Sequence, residues 1–343
     1  MEDLDTLVLR QAAQWRDGGL AAVLVTVART WGSSPRPPGS LMAINARGET
    51  VGSVSGGCIE DDLIQRIRDE GIDAVCARQR PVLLRYGVSA DQAHRFGLPC
   101  GGTVELVLEP LQAHSLIPEL LAACTARQSV ERRLHLTSGQ VSLRPADADG
   151  LPRQEGEEFI TPFGPRARLL LIGAGDLARF MAEMAGSLGF EVLVCDPRAE
   201  QQASWNLPGV TVSPEMPDDL VQRMRPDART AVVALTHDPK IDDLALMEAL
   251  QSEAFYVAAI GSRRTALLRR ERLAQHFGMN AKALERLRSP AGLYIGSKTP
   301  AEIALSIMAE LVACKNGVTL PPQAQVEGGK AAQAPQKGLR GTA

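Results

Sequence analysis

Apolar positions recur along this chain with two different periods, and the switch between them marks the predicted elements. Leu4, Leu7, Val8 and Trp15 fall at helical spacing, which predicts an amphipathic helix over residues 4–16. Leu20 to Ala28 is a valine-rich apolar run and reads as a buried strand. The segment Thr30 to Ser40, with Gly32, Pro35, Pro37, Pro38 and Gly39, reads as a loop, and Leu41 to Asn45 as a second strand. A Gly/Ser-rich stretch, Gly52 to Gly57, leads into a helix near Ile59 to Glu70. Pro81 to Tyr86 and Thr103 to Glu109 predict further strands. Beyond residue 143 the chain turns polar and rich in Pro and Gly, so a domain boundary is expected near Pro165.

The second half alternates short apolar runs with helical ones: Arg168–Ile172, 176–188, Glu191–Cys195, Val210–Val212, 218–225, Thr230–Leu235, 240–251, Phe255–Ile260 and 263–276. Such alternation implies a parallel sheet covered by helices on both faces. A last helix over about 300–314 opens on Thr299-Pro300-Ala301-Glu302, a capping box with proline at its first position. The predicted class is α/β. A mixed α+β domain (1–150) and a linker (151–166) precede a Rossmann-like doubly wound domain (167–316), and a disordered tail (317–343) follows.

Composition narrows the function classes. The 343 residues are 45% hydrophobic and 22% charged, enough apolar material for two soluble cores. A net charge of −3 and 4% aromatic residues argue against a nucleic-acid partner. No apolar run approaches the roughly 18 residues that span a bilayer. The acidic start, with Glu2, Asp3 and Asp5, is unlike a signal peptide, so a cytoplasmic protein is expected. The cysteines, at 58, 76, 100, 124, 195 and 314, are scattered and read as free thiols. None forms a Cys-x-x-Cys pair of the zinc-site kind.

Three groups of residues carry candidate chemistry. Leu169 to Ile172 runs into Gly173-Ala174-Gly175-Asp176-Leu177-Ala178, a strand followed by G-x-G-x-x-A. The first glycine permits the turn, the second lets a phosphate approach the backbone, and the small residue lets helix and strand pack closely. Asp196 ends the next strand, where this fingerprint places an acid for a ribose hydroxyl, and Arg198 follows as a candidate phosphate contact or a solvated side chain. The second group lies at other strand ends: Thr236-His237-Asp238, Gly261-Ser262-Arg263-Arg264 and Gly296-Ser297-Lys298-Thr299. Here His237, Asp238, Ser262, Arg263 and Lys298 are candidate contacts for an anionic ligand at helix N-termini. The third group is a pair of loops that set a cysteine against glycines: Gly56-Gly57-Cys58 and Cys100-Gly101-Gly102. A thiol near a helix start favours its thiolate, a soft ligand and a nucleophile. The competing reading of these loops is tight turns with small buried cysteines.

Ser53-Val54-Ser55-Gly56-Gly57-Cys58-Ile59-Glu60 and Phe96-Gly97-Leu98-Pro99-Cys100-Gly101-Gly102 resemble the signature loops of the xanthine dehydrogenase accessory factor (XdhC/CoxI) family. The resemblance extends over about residues 5–315, through Arg29 to Arg36, Gly173-Ala174-Gly175, Asp196-Pro197-Arg198, Thr236-His237-Asp238, Gly261-Ser262-Arg263 and Thr299 to Ala304. It implies a protein that binds the molybdenum cofactor, as molybdopterin or its cytosine dinucleotide form. It further implies help with sulfuration, together with a cysteine desulfurase, and delivery to a xanthine dehydrogenase-type molybdenum hydroxylase. Cys58 and Cys100 then become candidate molybdenum or sulfur contacts, with phosphate held at the glycine-rich strand ends. Such a protein is a maturation chaperone rather than a metabolite-converting enzyme, with a homodimer as the base-rate assembly. The chain departs from the family at Asp176, at Arg264-Thr265 and at Tyr294, where histidine, a nearby lysine and aspartate are usual. The alternative from a different class is an NAD(P)-dependent oxidoreductase with His237 as acid or base.

Overall fold

The computed structural model describes residues 4–32, 36–75, 80–87, 103–146 and 150–332. The chain divides into two compact units that meet at Pro165 and Arg166.

The first unit is built around β1 (Ala22–Trp31), whose first seven residues are all buried. It is central in an antiparallel sheet of order β3-β2-β1-β5-β4, with β2 (Leu41–Asn45), β3 (Thr50–Gly52), β4 (Val82–Tyr86) and β5 (Thr103–Pro110). Burial on both faces explains why β1 is apolar without alternation. Val23, Val25 and Val27 point to one face and meet Ile59, Leu63 and Ile67 of helix α2 (Cys58–Glu70). Ala22 and Leu24 point to the other and meet α1 (Leu4–Asp17) and α3 (Ile117–Thr125). The buried stripe of α1 is Val8, Leu9 and Ala12 with Trp15 packed beside it, and Leu4 and Leu7 are exposed, so the apolar spacing predicts the helix and part of its buried face.

A second antiparallel sheet has the order β7-β6-β9-β8, with β6 (Val130–His135), β7 (Val141–Pro145), β8 (Arg153–Glu155) and β9 (Glu158–Phe163). The expected linker at 151–166 is therefore mostly strand. β9 pairs with β6 along its whole length and buries Phe159, Ile160 and Thr161, a run too short to stand out from its polar neighbours. Arg132 of β6 donates to both carboxylate oxygens of Glu109 on β5 at 2.7 and 2.6 Å, a buried bidentate pair that ties the two sheets together.

The loop before α2 is organised by one carboxylate. Glu60 accepts from Ser53 Oγ at 2.8 Å, from the N–H groups of Val54, Ser55 and Gly57 at 2.8, 2.9 and 3.0 Å, and from Ser55 Oγ. Gly56 and Gly57 have φ of 91° and 143°, which turns their N–H groups toward that carboxylate. Burial disfavours the Glu60 charge, but the hydrogen bonds from Ser55 and Ser53 outweigh it and hold the carboxyl at about 2. Cys58 is the first residue of α2.

The second unit is a parallel sheet of order β12-β11-β10-β13-β14-β15: β10 (Arg168–Ile172), β11 (Glu191–Cys195), β12 (Val212–Ser213), β13 (Thr230–Ala234), β14 (Tyr256–Ala259) and β15 (Leu287–Arg288). This is the doubly wound Rossmann order, reversing direction at β10. The helices are α4 (Asp176–Ser187), α5 (Ala199–Ser204), α6 (Pro217–Met224), α7 (Pro239–Gln251), α8 (Arg263–Phe277), α9 (Ala281–Glu285) and α10 (Pro300–Lys315). Leu169 and Leu171 face α4 and α10, where Ala178, Ala182 and Ala304 allow close packing. Leu170 and Ile172 face the layer of α6, α7 and α8. The register pairs Ile172 with Cys195 and Ala234, and Ala234 with Ala259, so the carboxyl ends of these strands finish together.

The expected disordered tail is corrected in part. Residues after Gly317 include α11 (Val326–Ala332), which docks against the Gly292–Ile295 loop. Tyr294 donates its N–H to Ala324 O at 2.7 Å, Val326 donates to Gly292 O at 3.1 Å, and the Val326 side chain is buried. Gly329 lies so close to Tyr294 that a side chain there would collide with the ring. One buried valine and a few backbone bonds hold this segment, and such a pattern leaves no hydrophobic period to read. Residues 333–343 lie outside the described residues.

The strand ends are held from beneath by Arg269, a buried residue of α8. Its guanidinium donates to Asp242 Oδ2 at 3.0 Å, to Asp243 Oδ1 at 3.3 Å and to Ile260 O at 2.9 Å. It also reaches Ser289 Oγ at 3.3 Å. Asp242 in turn accepts from the hydroxyl and the N–H of Thr236, at 2.7 and 3.2 Å.

Two outcomes are expected. Arg269→Met leaves Asp242 as an uncompensated buried charge and lowers stability by about 3–5 kcal/mol in denaturant unfolding. Arg272→Met, which removes a partly exposed partner of Asp243, costs much less. For Glu60→Gln, the lowered carboxyl pKa stabilises the fold above the unfolded value near 4.5, and that contribution is lost as pH falls toward about 2. The variant is therefore less stable than the parent by about 3 kcal/mol at pH 7, and thermal unfolding shows the gap narrowing steadily below pH 4.5.

Candidate functional site

The turn after β10 begins the site. Gly173 has φ of 108°, and a Cβ there would lie 2.9 Å from Thr236 Cγ2, so both conformation and packing require glycine. Its N–H donates to Cys195 O at 2.7 Å, and the N–H of Ala174 to Asp196 Oδ2 at 2.8 Å. Gly175, the N-cap of α4, is different. It is exposed, and nothing lies within 4 Å of where a Cβ would sit. Its missing side chain leaves a cradle open at a helix N-terminus, where the first N–H groups have no intrahelical acceptor.

That cradle opens on a cleft of about 570 Å³, a size that suits a small-molecule ligand. Three helix starts border it: Gly175 to Leu177 of α4, Ser262 and Thr265 of α8, and Ser297 and Pro300 of α10. Leu235, Ile260, Ala291 and Ile303 supply apolar walls, and Val326 of the docked C-terminal segment adds another. His237 lines the cleft with φ of 64°, a left-handed conformation uncommon outside glycine and asparagine. The loop that imposes it is pinned by the Thr236–Asp242 bonds on one side and by Asp238 on the other. Asp238 caps α7, accepting from the N–H of Lys240 at 2.9 Å.

Gly175, His237 and Ser262, all predicted from sequence, meet in this cleft. Asp238 acts as a helix cap beside it. Arg263 is exposed and does not line the cleft, and Lys298 is exposed with its N–H bonded to Glu302 Oε2 at 2.8 Å. The polar groups of these two helix starts that line the cleft are neutral, Ser262 and Thr265 on one and Ser297 on the other. Ser297 was named within its strand-end motif and Thr265 as a departure from the family pattern, but neither as a contact, and Ser306 escaped the sequence reading. Ser306 is buried on the inner face of α10 and donates to Leu293 O at 2.7 Å, and a polar residue within an apolar stripe was its one signal.

Asp196 and Arg198 form a closed pair on the far side of the turn. Arg198 donates through Nε to Oδ1 at 2.8 Å and through a terminal nitrogen to Oδ2 at 2.7 Å, and its own N–H also reaches Oδ1. Burial works against the Asp196 charge, but Arg198 and the Ala174 N–H outweigh it and hold the carboxyl below its usual range. Asp242 shows the opposite balance: burial pushes its carboxyl up in spite of Thr236 and Arg269. Burial likewise pushes the Cys195 thiol up to about 12, in keeping with a packing role.

Gly56, Gly57 and Cys58 belong to the first unit, where the Glu60 carboxylate fills the loop's own N–H nest. Cys100, Gly101 and Gly102 lie outside the described residues. Among the described residues no cluster of three or more His, Cys, Asp or Glu side chains is placed to hold a metal ion. Also among them, no helix is long and apolar enough to cross a membrane.

Comparison with known proteins fits this layout. Residues 169–311 match the model of the XdhC Rossmann domain, and residues 15–87 that of the XdhC and CoxI family. The chain is 26% identical over 317 residues to the molybdenum cofactor insertion chaperone PaoD of Escherichia coli, covering 90% of this chain and 88% of that protein. It is 27% identical over 325 residues to a Bacillus subtilis protein named as a probable xanthine dehydrogenase subunit, covering 87% and 94%. A crystal structure from Bacillus halodurans, described as a xanthine dehydrogenase, superposes with a TM-score of 0.73 at 25% identity over 94% of this chain and 99% of that one. With its Rossmann unit matched over residues 169–311 and its first unit over residues 15–87, the chain belongs to the XdhC and CoxI family.

Proposed function

We propose that this protein binds the molybdenum cofactor as cargo, assists its sulfuration and passes it to a xanthine dehydrogenase-type molybdenum hydroxylase. The observation that carries the reading is the cleft at Gly175. Helix starts, hydroxyl groups and apolar walls surround an opening that a phosphate can enter. A molybdopterin carries a phosphate on an otherwise flat heterocycle, and both parts find suitable surfaces here: the phosphate at the α4 N-terminus, the ring between Ile260, Ile303 and Val326. The relative named as a molybdenum cofactor insertion chaperone supports the same role.

In this reading the protein supplies no resident metal cage. The molybdenum arrives in the cargo, bound by the cargo's own dithiolene. Cys58 and Cys100 are the thiols proposed to meet the metal or its incoming sulfur, with a cysteine desulfurase as donor and a cytoplasmic setting. His237, Ser262 and Ser297 orient the pterin by hydrogen bonds.

The NAD(P)-dependent alternative draws on the Rossmann turn, but one observation weighs against it. Both oxygens of Asp196 are engaged by Arg198 and Ala174, so the acid that would accept a ribose diol is already satisfied.

The test is anaerobic purification from a host that makes the cofactor, with molybdenum measured by mass spectrometry and pterin by the fluorescence of its oxidised derivative. Molybdenum and pterin are expected together, near one per chain. Gly175→Val fills the open cradle, where the backbone is extended (φ −88°) and nothing lies within 4 Å of an added Cβ, and should cut pterin retention at least tenfold (about 1.4 kcal/mol or more) without loss of fold. Cys58→Ser and Cys100→Ser should keep the pterin and lose sulfuration of the delivered cofactor. Recovery of NAD(P)H with hydride transfer, and no pterin, would replace this reading with the oxidoreductase.

A further inference from the structure

Helix α8 carries more charge than the fold of its unit uses. Arg269, Arg270 and Arg272 have partners inside the unit: Asp242 and Asp243 for the first, the carbonyl of Leu287 for the second and Asp243 for the third. Arg264 and Glu271 differ. Among the described residues their side chains make neither a hydrogen bond nor an ion pair. Between them stand two leucines that the core does not use. Leu267 is 58% exposed and Leu268 45%, whereas Leu273 of the same helix is fully buried. Neither exposed leucine packs against an apolar cluster of the sheet. Single exposed leucines are ordinary, but an adjacent pair between two uncommitted charges has the composition of a contact face.

The helical repeat puts all four residues on one stripe. Arg264 and Glu271 are seven residues apart, about two turns, and so lie almost in line along its middle. Leu267 and Leu268 stand on either side of that line, and the whole stripe lies opposite the buried Ala266, Arg269 and Leu273. The order Arg-x-x-Leu-Leu-x-x-Glu is symmetric about the bond between the leucines, with opposite charges at equal distances from it. A face of that kind complements itself. When two copies of α8 pair antiparallel about a two-fold axis at this midpoint, each leucine meets its own counterpart. Arg264 of each copy then lies level with Glu271 of the other, so the ion pair is made twice. Arg263 and Arg272 also come level, but on opposite flanks of the helix, so no like charges are brought together.

We propose that this stripe is a self-association face, through which two copies of the chain pair by α8 against α8. The pairing is independent of what the cleft holds. It places one cleft toward each end of the helix pair, because Ser262 and Thr265, at the start of α8, line the cleft of their own copy. A contact of two helical turns falls below the roughly 1,200 Å² of a permanent interface, so the pair exchanges with monomer.

The experiment is sedimentation velocity of the full chain over about 1–200 μM, the range in which a contact of this size associates. A monomer–dimer equilibrium is expected. Leu267→Ser with Leu268→Ser, at two exposed positions, should weaken it about tenfold or more. Arg264→Glu alone sets carboxylates opposite one another and should weaken it by a similar factor at low salt, and Glu271→Arg alone should do the same with cations. The double variant Arg264→Glu, Glu271→Arg exchanges the charges and should dimerise as the parent does. A chain that is monomeric at every concentration, or a dimer that the leucine and single-charge variants leave unchanged, would overturn the pairing. So would a charge-exchanged double variant no tighter than either single variant. Uptake of a monomeric chain through Leu267 and Leu268 by phosphatidylglycerol vesicles, or by a cofactor-free hydroxylase, would overturn it and give the face to that occupant.

Discussion

The guanidinium of Arg269 is the constraint on which the cleft depends. Removed from solvent, it has to find hydrogen-bond partners inside the protein, and those it finds belong to separate segments: α7, the end of β14 and the residue before Pro290. Because Asp242 also holds Thr236, the loop carrying His237 is fixed by the same cluster. The loop carrying His237 is therefore positioned by a charge pair that is itself buried. Buried ion pairs contribute little net stability, yet breaking one is costly, which is how such a cluster can enforce one arrangement of several loops.

A common device runs through both units. Backbone N–H groups that gather at a turn or a helix start attract anions, and this chain satisfies several of them with its own carboxylates. Glu60 fills the loop before α2, Asp196 takes the Ala174 N–H, Asp238 caps α7 and Glu302 caps α10. Gly175 stands apart, with open space where a side chain would be and a cavity on either side.

The sequence made the Rossmann unit plain because its signals are local and periodic. Short apolar strands between amphipathic helices, a G-x-G turn and a capping box are each written in adjacent residues. The XdhC/CoxI-like loop at Ser53–Glu60 was equally readable, and it lies within the residues that match the family. What sequence could not show were interactions between distant positions. Arg269 looks like one more cation in the run Arg269-Arg270-Glu271-Arg272, and only the fold distinguishes it as the buried one. Arg263 and Lys298 looked like ligand cations because they stand beside helix starts, but their side chains lie outside the cleft and neutral hydroxyls face it instead. The β9 strand and the docked C-terminal segment were missed for the same reason: each is held by pairing with a remote partner rather than by its own hydrophobic pattern.

The contribution of Val326 to the cleft wall divides the labour of the chain. The Rossmann sheet ends at Arg288 and its last covering helix at Lys315, so every element of that core lies ahead of residue 326. The cleft gains its full wall only when the later segment pairs with Tyr294 and Gly292. Peeling that segment away would therefore open one side of the cleft while leaving the sheet and its helices whole.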